Sequence, residues 1–237
     1  MQSAHSLHHR LVHPDYLPLN ERIGRKFRMG VTDIIQVFPN FLVGQGIADI
    51  RAQIHEVLQR NGVRRDLMLD GTARKMVTVG QSVLQAHAQT TMDLMLSPDL
   101  RKFVSGVLGI PVQPYDDADE GCVVMQLEKE GDHQGIHIDS GLFDVHVGLL
   151  LEQPHSDDPG GKLVYQTGYS IGSGPLYQTV SLNEGDLYIM KETHKRPHGT
   201  LPIGKEGSCR TIIGLGLRTE AMKDICQSPS SKLLFHS

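Results

Sequence analysis

A stretch near the middle of the chain, GDHQGIHIDSG at residues 131–141, contains two histidines and two aspartates. His137 and Asp139 are two positions apart, so on an extended strand both side chains project from the same face and can bind one ion. A third ligand must come from elsewhere, and His194 and His198 are the candidates. Because 13 histidines in 237 residues also produce such pairs by chance, the pair alone fits a surface or core histidine as well as a metal site.

The residues that follow favour the metal site. After the pair come the segments DDPGGKLVY and LNEGDLYIM, a histidine, and then Arg210 at the start of RTIIGLGL. On a strand, Arg210 shares a face with Gly214 and Gly216, and we expect these two positions without side chains to leave room for a ligand. Two histidines and a carboxylate on one side of an ion leave its other positions open, which is typical of non-haem iron(II) oxygenases.

The order of these motifs over about residues 121–218 resembles the 2-oxoglutarate-dependent iron(II) dioxygenases of the prolyl-hydroxylase and phytanoyl-hydroxylase type. The resemblance implies a double-stranded β-helix fold and the cofactors iron(II), 2-oxoglutarate and O2. It implies His137, Asp139 and His198 as iron ligands, with Arg210 pairing with the far carboxylate of 2-oxoglutarate through its planar fork. His198 is preferred over His194 because HGTLPI resembles the family's sequence at the second histidine, and Arg210 then lies twelve residues further on.

The runs GDHQGIHIDS and GDLYIMKETHKRPHGTLPI are also similar to a subgroup of small bacterial enzymes that contains free-amino-acid halogenases and hydroxylases. Those halogenases have Gly or Ala where this chain has Asp139, which vacates a coordination position for chloride. The resemblance therefore implies hydroxylation of an unactivated C–H bond in a free amino acid or an amino-acid-derived metabolite, with release of succinate and CO2. The alternatives are desaturation or cyclisation with the same cofactors, a cupin-like enzyme without 2-oxoglutarate, and a non-catalytic metal-binding β-barrel.

Four further residues are candidates for substrate binding. Arg74 in DGTARKM lies at a place comparable to an arginine that the amino-acid subgroup uses for the substrate carboxylate, with a solvated loop arginine as the alternative. Glu120 ends the acidic run DDADE, which either receives a substrate ammonium or is a solvated loop. Gln134 and His146 complete the set; His146 either faces the cavity or is a hydrogen-bonded core histidine.

The elements that position these residues fall into two parts. The segment 47–61 has apolar residues at helical spacing, and SPDLRKFVSGVLG predicts a helix with Ser97 as cap, Pro98 at its first position and Gly109 beyond its end. From Cys122 onward, seven short β-rich runs are separated by turn residues. The sequence predicts a mainly β fold with N-terminal helices and a jelly-roll, cupin-like core. We expect one domain, 1–237, with helical support at about 40–110, the β-helix core at about 111–219 and flexible tails at both ends.

Composition restricts the partners. Charged residues are 21% of the chain, the formal net charge is -4, and no segment approaches the roughly 18–20 apolar residues of a membrane span. Without a basic excess no nucleic-acid surface is indicated, so we expect a small-molecule substrate, while a homodimer stays open. The three cysteines, Cys122, Cys209 and Cys226, are widely spaced and indicate neither a disulfide framework nor a zinc ribbon. The start MQSAHSLHHRLVH lacks the pattern of a secretory signal, and a cytoplasmic location is expected.

Overall fold

The computed structural model describes residues 4–69, 71–115, 117, 119–139, 143–170 and 172–222. The helices are α1 Ala4–Leu11, α2 Glu21–Gly24, α3 Gly44–Asn61, α4 Gln81–His87, α5 Gln89–Met95 and α6 Pro98–Leu108. The strands are β1 Ile35–Phe38, β2 Val63–Leu69, β3 Thr72–Val79, β4 Val112–Pro114, β5 Cys122–Leu127, β6 His133–Gln134, β7 Val145–Glu152, β8 Leu163–Ser170, β9 Gly174–Val180, β10 Leu187–Lys191, β11 His198–Thr200 and β12 Arg210–Thr219. No helix in these residues combines the length and the apolar character needed to cross a membrane.

The two helices that the sequence indicates most clearly are confirmed. Helix α3 contains the predicted residues 47–61, and its Ile50 and Ile54 have no exposed surface, as an apolar stripe at helical spacing requires. In α6 the side chain of Ser97 accepts a hydrogen bond from the first turn at 3.0 Å. Gly109 ends that helix in the left-handed region with φ 74°, a conformation that glycine adopts without strain.

The prediction of a flexible N-terminal tail is wrong for the residues that the structure describes. Helix α1 ends at Leu11, whose side chain has no exposed surface. The carbonyl of Leu11 accepts a hydrogen bond from the backbone N–H of Val43, immediately before α3, at 2.9 Å. Leu7 and Leu11 lie one turn apart, so they present an apolar edge to the helical core. The C-terminal tail after residue 222 lies outside the described residues.

Residues 63–79 form a β-hairpin, although the sequence analysis assigned them to helical support. Strands β2 and β3 pair antiparallel from Val63 with Thr78 to Leu69 with Thr72, and β3 pairs in turn with β5. An Asp-Gly dipeptide at 70–71 separates the strands, and the glycine has a positive φ of 77°. This is a strong sequence signal for a two-residue hairpin turn. The hairpin widens the sheet and adds a wall to the space that it encloses.

The strands form two antiparallel sheets that face each other. The larger sheet has the order β1-β10-β7-β12-β5-β3-β2, with β4 beside β12 and β6 beside β3, and the smaller sheet has the order β11-β8-β9. Alternate residues of β7, such as Val147 and Leu149, are buried against the helices on the outer face of the larger sheet. The residues between them, His146 and Gly148, therefore face the smaller sheet. The space between the sheets contains the site.

Candidate metal centre

A cavity between the two sheets brings together all eight side chains that the sequence analysis proposed for the site. These are Arg74, Glu120, Gln134, His137, Asp139, His146, His198 and Arg210. They come from strands β3, β6, β7, β11 and β12, from the segment before β5 and from the segment after β6. Residues that are far apart in the sequence thus converge because the sheet topology places their strands around one space.

His137 and His198 are joined directly through their backbones. The N–H of each residue donates to the carbonyl of the other at 2.8 Å, which forms an isolated bridge where the sequence analysis expected a longer strand. The expected alternation is nevertheless present, since Ile136 and Ile138 are 37% and 43% exposed and Asp139 is 8% exposed. The bridge holds the two imidazole rings side by side, with centroids 4.5 Å apart.

The three predicted ligands present their donor atoms to one point. One ligand atom from each of His137, Asp139 and His198 lies within 4.8 Å of the other two. The Nδ1 atom of each histidine lies 2.9 Å from a backbone carbonyl oxygen, of Gly135 and Arg196 respectively. In the neutral imidazole Nδ1 therefore donates, and Nε2 keeps its lone pair. Each Nε2 atom lies 3.4 Å from a different oxygen of the Asp139 carboxylate.

The Asp139 carboxylate is suited to binding a metal. Its Oδ2 atom is buried and has no hydrogen-bond partner among the residues that the structure describes. Burial raises the pKa of this carboxyl, but His198 and His137 lower it by more, so the pKa lies below its ordinary value. Burial also lowers the pKa of His198. A carboxylate between two imidazoles is a donor set that iron(II) accepts, so the residues present fit this metal.

His194, the alternative second histidine, lies outside the cavity. It is in the turn that precedes β11 and lines a surface groove with Asp144 and Lys191. His198, in contrast, lines the same cavity as Asp139. The geometry and the resemblance therefore favour the same histidine.

Arg210 lies in the cavity wall at the first position of β12. Its side chain is 4% exposed, and burial lowers the pKa of the guanidinium. Within the described part of the chain, Tyr188 is the one residue that opposes this shift, and no carboxylate does. A buried cation without an anionic partner is costly. The position is therefore suited to an anionic ligand such as the far carboxylate of 2-oxoglutarate.

The prediction that the glycines of β12 leave room for a ligand is wrong, because side chains already fill that space. A Cβ atom on Gly214 would lie 2.6 Å from Nε2 of His146, and one on Gly216 would lie 2.5 Å from Cδ1 of Phe143. Both separations are far shorter than van der Waals contact. The glycines thus permit the two rings to approach the backbone of β12 closely, and both rings line the cavity.

Tyr188 is a cavity residue that the sequence analysis missed. Its hydroxyl lies 2.9 Å from Nδ1 of His146, and its ring occupies the space above Gly148, where a Cβ atom would come within 2.2 Å of it. Burial lowers the pKa of His146 to about 4. His146 is therefore both hydrogen-bonded and open to the cavity. The two interpretations offered from the sequence, a cavity residue and a hydrogen-bonded core histidine, both apply. Alternation along GDLYIM indicates which residues face inward, and it could have identified the tyrosine.

Glu120 is a buried acid without a cationic partner in the part of the chain that the structure describes. It is 6% exposed, and neither carboxylate oxygen has a hydrogen-bond partner in the described residues. Burial, followed by the charges of Asp117, Asp139 and Asp119, raises its pKa to about 8. Thr78, also missed from sequence, adds a third buried oxygen without a hydrogen-bond partner in the described residues. This part of the cavity is suited to a cationic hydrogen-bond donor.

The rest of the acidic run has a local role where it is described. The Oδ1 atom of Asp117 accepts hydrogen bonds at 2.8 Å from the backbone N–H groups of Asp119 and Glu120. Asp116 and Ala118 lie outside the described residues. Asp117 therefore stabilises the backbone at Asp119 and Glu120, where one acid, Glu120, lines the cavity.

Arg74 is 5% exposed, so its interpretation as a solvated loop arginine is wrong. Its Nη1 atom donates to Thr72 Oγ1 at 2.8 Å, and its strand pairs with β6 so that Arg74 lies opposite Gln134. The side-chain amide of Gln134 lies 3.2 Å from Nε2 of His137. Gln134 thus lies directly beside a predicted ligand, and Arg74 lies opposite Gln134 on the neighbouring strand.

Asp132 and His133 do not belong to the site. Asp132 is 1% exposed, forms an ion pair with Arg64, and accepts backbone hydrogen bonds from Glu128 and Lys129. It therefore stabilises the turn that precedes the ligands. His133 is half-buried, and its Nδ1 atom lies 2.8 Å from a backbone carbonyl oxygen within that turn.

Comparison with known families gives one match. The model of the Halogenase D family matches residues 23–168, more than half of the chain. The matched region includes Arg74, Glu120, His137 and Asp139, and it ends before His198 and Arg210. No curated protein sequence matches the chain.

Several solved structures resemble the fold. A prolyl hydroxylase from Trichoplax adhaerens, in complex with a hypoxia-inducible-factor peptide fragment, is 16% identical with a TM-score of 0.66, covering 91% of this chain and 98% of that one. The 2-oxoglutarate-dependent carbocyclase SnoK from nogalamycin biosynthesis is 14% identical with a TM-score of 0.62, covering 82% of each chain. HygX from Streptomyces hygroscopicus, with nickel and 2-oxoglutarate bound, is 14% identical with a TM-score of 0.57, covering 80% and 84%. The predicted fold, mainly β with a jelly-roll core, is confirmed.

Proposed function

Since the chain belongs to the Halogenase D family, and with it to the iron(II)- and 2-oxoglutarate-dependent oxygenases, we propose that it hydroxylates an unactivated C–H bond. The proposed substrate is a free amino acid or an amino-acid-derived metabolite, and the co-products are succinate and CO2. The reaction consumes one O2 and one 2-oxoglutarate for each hydroxyl group formed.

The observation that carries this proposal is the carboxylate of Asp139 between His137 and His198. The family name favours a second candidate, halogenation, in which a halide must occupy a coordination position on the metal. In the halogenases that the chain resembles, Gly or Ala vacates that position. Here the carboxylate takes it, so the site favours hydroxylation over halide transfer.

The proposed cofactor positions follow from the cavity walls. His137, Asp139 and His198 hold iron(II), and Arg210 holds the far carboxylate of 2-oxoglutarate by charge-assisted hydrogen bonds. When bound, these cofactors activate O2 and supply the oxidising power for C–H cleavage. Apolar side chains of the cavity, including Met125 and Ile212, limit the access of water to the reacting groups.

The proposed substrate position uses the remaining polar groups. Glu120, buried and unpaired, receives an ammonium group, because a buried carboxylate is stabilised by a cation that hydrogen-bonds to it. Arg74 binds the carboxylate of the same molecule. Because both groups are attached to the α-carbon, holding them fixes the direction of the substrate side chain, and its C–H bonds are then presented to the metal.

Two linked measurements test the proposed function. Anaerobic addition of iron(II) and 2-oxoglutarate to the protein is expected to produce the visible charge-transfer band of the chelated metal. Addition of O2 and a panel of amino acids, with chloride present, is then expected to give one succinate for each hydroxylated product. A halogenated product would show that halide transfer is the reaction, and metal-loaded protein without the band would exclude the oxygenase.

Replacement of Glu120 by Gln is expected to raise KM for an amino-acid substrate about 10- to 100-fold, the effect of losing one hydrogen bond to a charged group. The affinity for 2-oxoglutarate is expected to stay unchanged, because the carboxylate is assigned to the substrate. Steady-state kinetics and an anaerobic titration with 2-oxoglutarate measure the two effects. The matched control is Glu130→Gln, which removes an exposed carboxylate outside the cavity. Equal losses in both measurements would contradict the assignment.

A further inference from the structure

Strand β7 contains an irregularity near its carboxyl end. Its pairing with β12 is regular up to Leu150, which lies opposite Ile212, but the next pair joins Glu152 to Thr211. Leu151 is therefore an extra residue on β7, without a partner in the pairing of these two strands. Such a β-bulge often lies next to an active site, where it changes the direction of a side chain.

The bulge decides which face of the sheet Glu152 occupies. If the regular register continued, Glu152 would lie directly opposite Arg210, on the inner face that Leu150 also occupies. Residues directly opposite each other in an antiparallel pair have Cβ atoms about 4.5–5.5 Å apart, close enough for an ion pair. A regular strand would therefore give the buried guanidinium of Arg210 a carboxylate partner, which it lacks among the described residues.

In the structure Glu152 instead faces the helices on the outer side of the sheet. Leu151 packs in the helical core, and Glu152 lies on the same side, where its Oε1 atom is 2.9 Å from Nε2 of His55 on α3. Two consecutive residues of β7 thus share one face, as a bulge allows. Glu152 lines a surface groove beside α3, and it is not among the described residues that line the cavity with Arg210.

Both carboxylate oxygens of Glu152 are held on this outer side. His55 contacts Oε1, the hydroxyl of Thr211 donates to Oε2 at 2.5 Å, and the thiol of Cys209 lies 3.5 Å from the same oxygen. The side-chain amide of Gln126 donates to the Thr211 hydroxyl at 3.1 Å, which leaves the O–H of Thr211 directed at Glu152. Burial raises the pKa of Glu152, but the hydrogen bonds from Thr211 and His55 together lower it by more. Glu152 is therefore a carboxylate at neutral pH.

We propose that the bulge at Leu151, together with Thr211 and His55, keeps the carboxylate of Glu152 away from Arg210, so that the guanidinium stays available for an anionic co-substrate. Thr211 and His55 are then positioning residues, and Glu152 is an internal competitor that the fold holds on the opposite face. The inference rests on the proposed function, which assigns Arg210 to the far carboxylate of 2-oxoglutarate.

The test removes the outer contacts of Glu152. The double variant Thr211→Val/His55→Leu deletes one hydrogen bond to each carboxylate oxygen, and Val keeps the branched shape of Thr. In anaerobic titrations of the iron-loaded protein, its binding of 2-oxoglutarate is expected to weaken about tenfold, the loss that results when Glu152 leaves Arg210 free in about one molecule in ten. Addition of Glu152→Gln to the double variant is expected to restore binding to within about twofold, because a neutral amide does not compete for the guanidinium.

Independent readouts separate this role from a general loss of structure. The affinities of the double variant for iron(II) and for 2-oxopentanoate, which has the same chain length but no far carboxylate, are expected to stay unchanged. A crystal structure of the cofactor-free double variant is expected to show Glu152 paired with Arg210, a result that requires no ligand. The matched control is Thr91→Val/Arg51→Leu, which removes another buried threonine hydroxyl and another ion pair of α3, with Glu184, both outside the cavity. This control is expected to bind 2-oxoglutarate as the original protein does.

Each outcome of these measurements decides the inference. An unchanged affinity of the double variant for 2-oxoglutarate would overturn it. So would a loss that Glu152→Gln does not reverse, an equal loss for 2-oxopentanoate, or a crystal structure in which Glu152 stays on the outer face. Failure of the original protein to bind 2-oxoglutarate would instead contradict the proposed function. The structure of the double variant would still decide the position of Glu152, so the two failures are distinguishable.

Discussion

Asp139→Gly is expected to reduce hydroxylation more than about 100-fold, because loss of groups that merely orient metal ligands already costs about 10- to 100-fold. The carboxylate is the sole anion among the three predicted ligands, so the affinity for iron(II) is expected to fall as well. Metal titration and product analysis measure the two effects. The vacated position is open to chloride, and addition of chloride is expected to shift the charge-transfer band of the variant but not that of the original protein.

A control variant and two possible outcomes make this result specific. Asp157→Asn replaces an aspartate that is paired with Lys205 at the surface, and it is expected to leave both iron binding and turnover unchanged. A variant at Asp139 that hydroxylated at the original rate would show that the carboxylate is not an iron ligand. A variant that binds chloride without halogenating would leave the assignment intact, because placement of the substrate also decides that outcome.

Arg210→Ala is expected to weaken 2-oxoglutarate binding about 100-fold or more, the combined effect of two hydrogen bonds to a charged group. The affinity for iron(II) is expected to stay the same, because Arg210 is not one of the predicted ligands. Anaerobic titrations of each component measure the two affinities. Arg60→Ala, which removes an exposed arginine of α3 paired with Glu56, is the control. Equal losses of the affinities for 2-oxoglutarate and iron(II) would show that the assignment of Arg210 to 2-oxoglutarate is wrong.

Replacement of Arg210 is expected to have the opposite effect on the stability of the fold from its effect on ligand binding. Arg210 is a buried cation without a carboxylate partner in the described residues, and such a group costs free energy of folding. Arg210→Met is therefore expected to keep or raise the Tm of the cofactor-free protein while it abolishes 2-oxoglutarate binding. A lower Tm in this variant would indicate that the guanidinium stabilises the fold through contacts of its own.

The grouping of the candidate metal ligands was predictable from sequence because it follows short motifs along the chain. His137 and Asp139 are two residues apart, and the positions of His198 and Arg210 follow motifs that can be read along the chain. The choice of His198 over His194 depended on the family resemblance. The bridge between His137 and His198 supplies the physical reason for that choice.

The predictions that were wrong or incomplete concern contacts between neighbouring strands. The hairpin at 63–79 carries an Asp-Gly turn signal, yet its helical neighbours dominated the interpretation of that region. Gly214 was expected to leave space for a ligand, but His146 on the adjacent strand fills it. Tyr188 acquires its position only through the pairing of β10 with β7. Cross-strand register depends on how all the strands of a sheet pair. Contacts between neighbouring strands therefore cannot be read from short motifs in a single sequence.

The bridge between His137 and His198 also bears on how such a protein can diversify. It ties together two distant points of the chain, and the segment between them includes the hairpin of β8 and β9. That hairpin ends in surface-exposed residues, with Tyr169 77% exposed and β9 largely open to solvent. Its tip can therefore lengthen, shorten or change in sequence during evolution without displacing either histidine. The bridge therefore keeps the two candidate ligands together whatever the length of that hairpin.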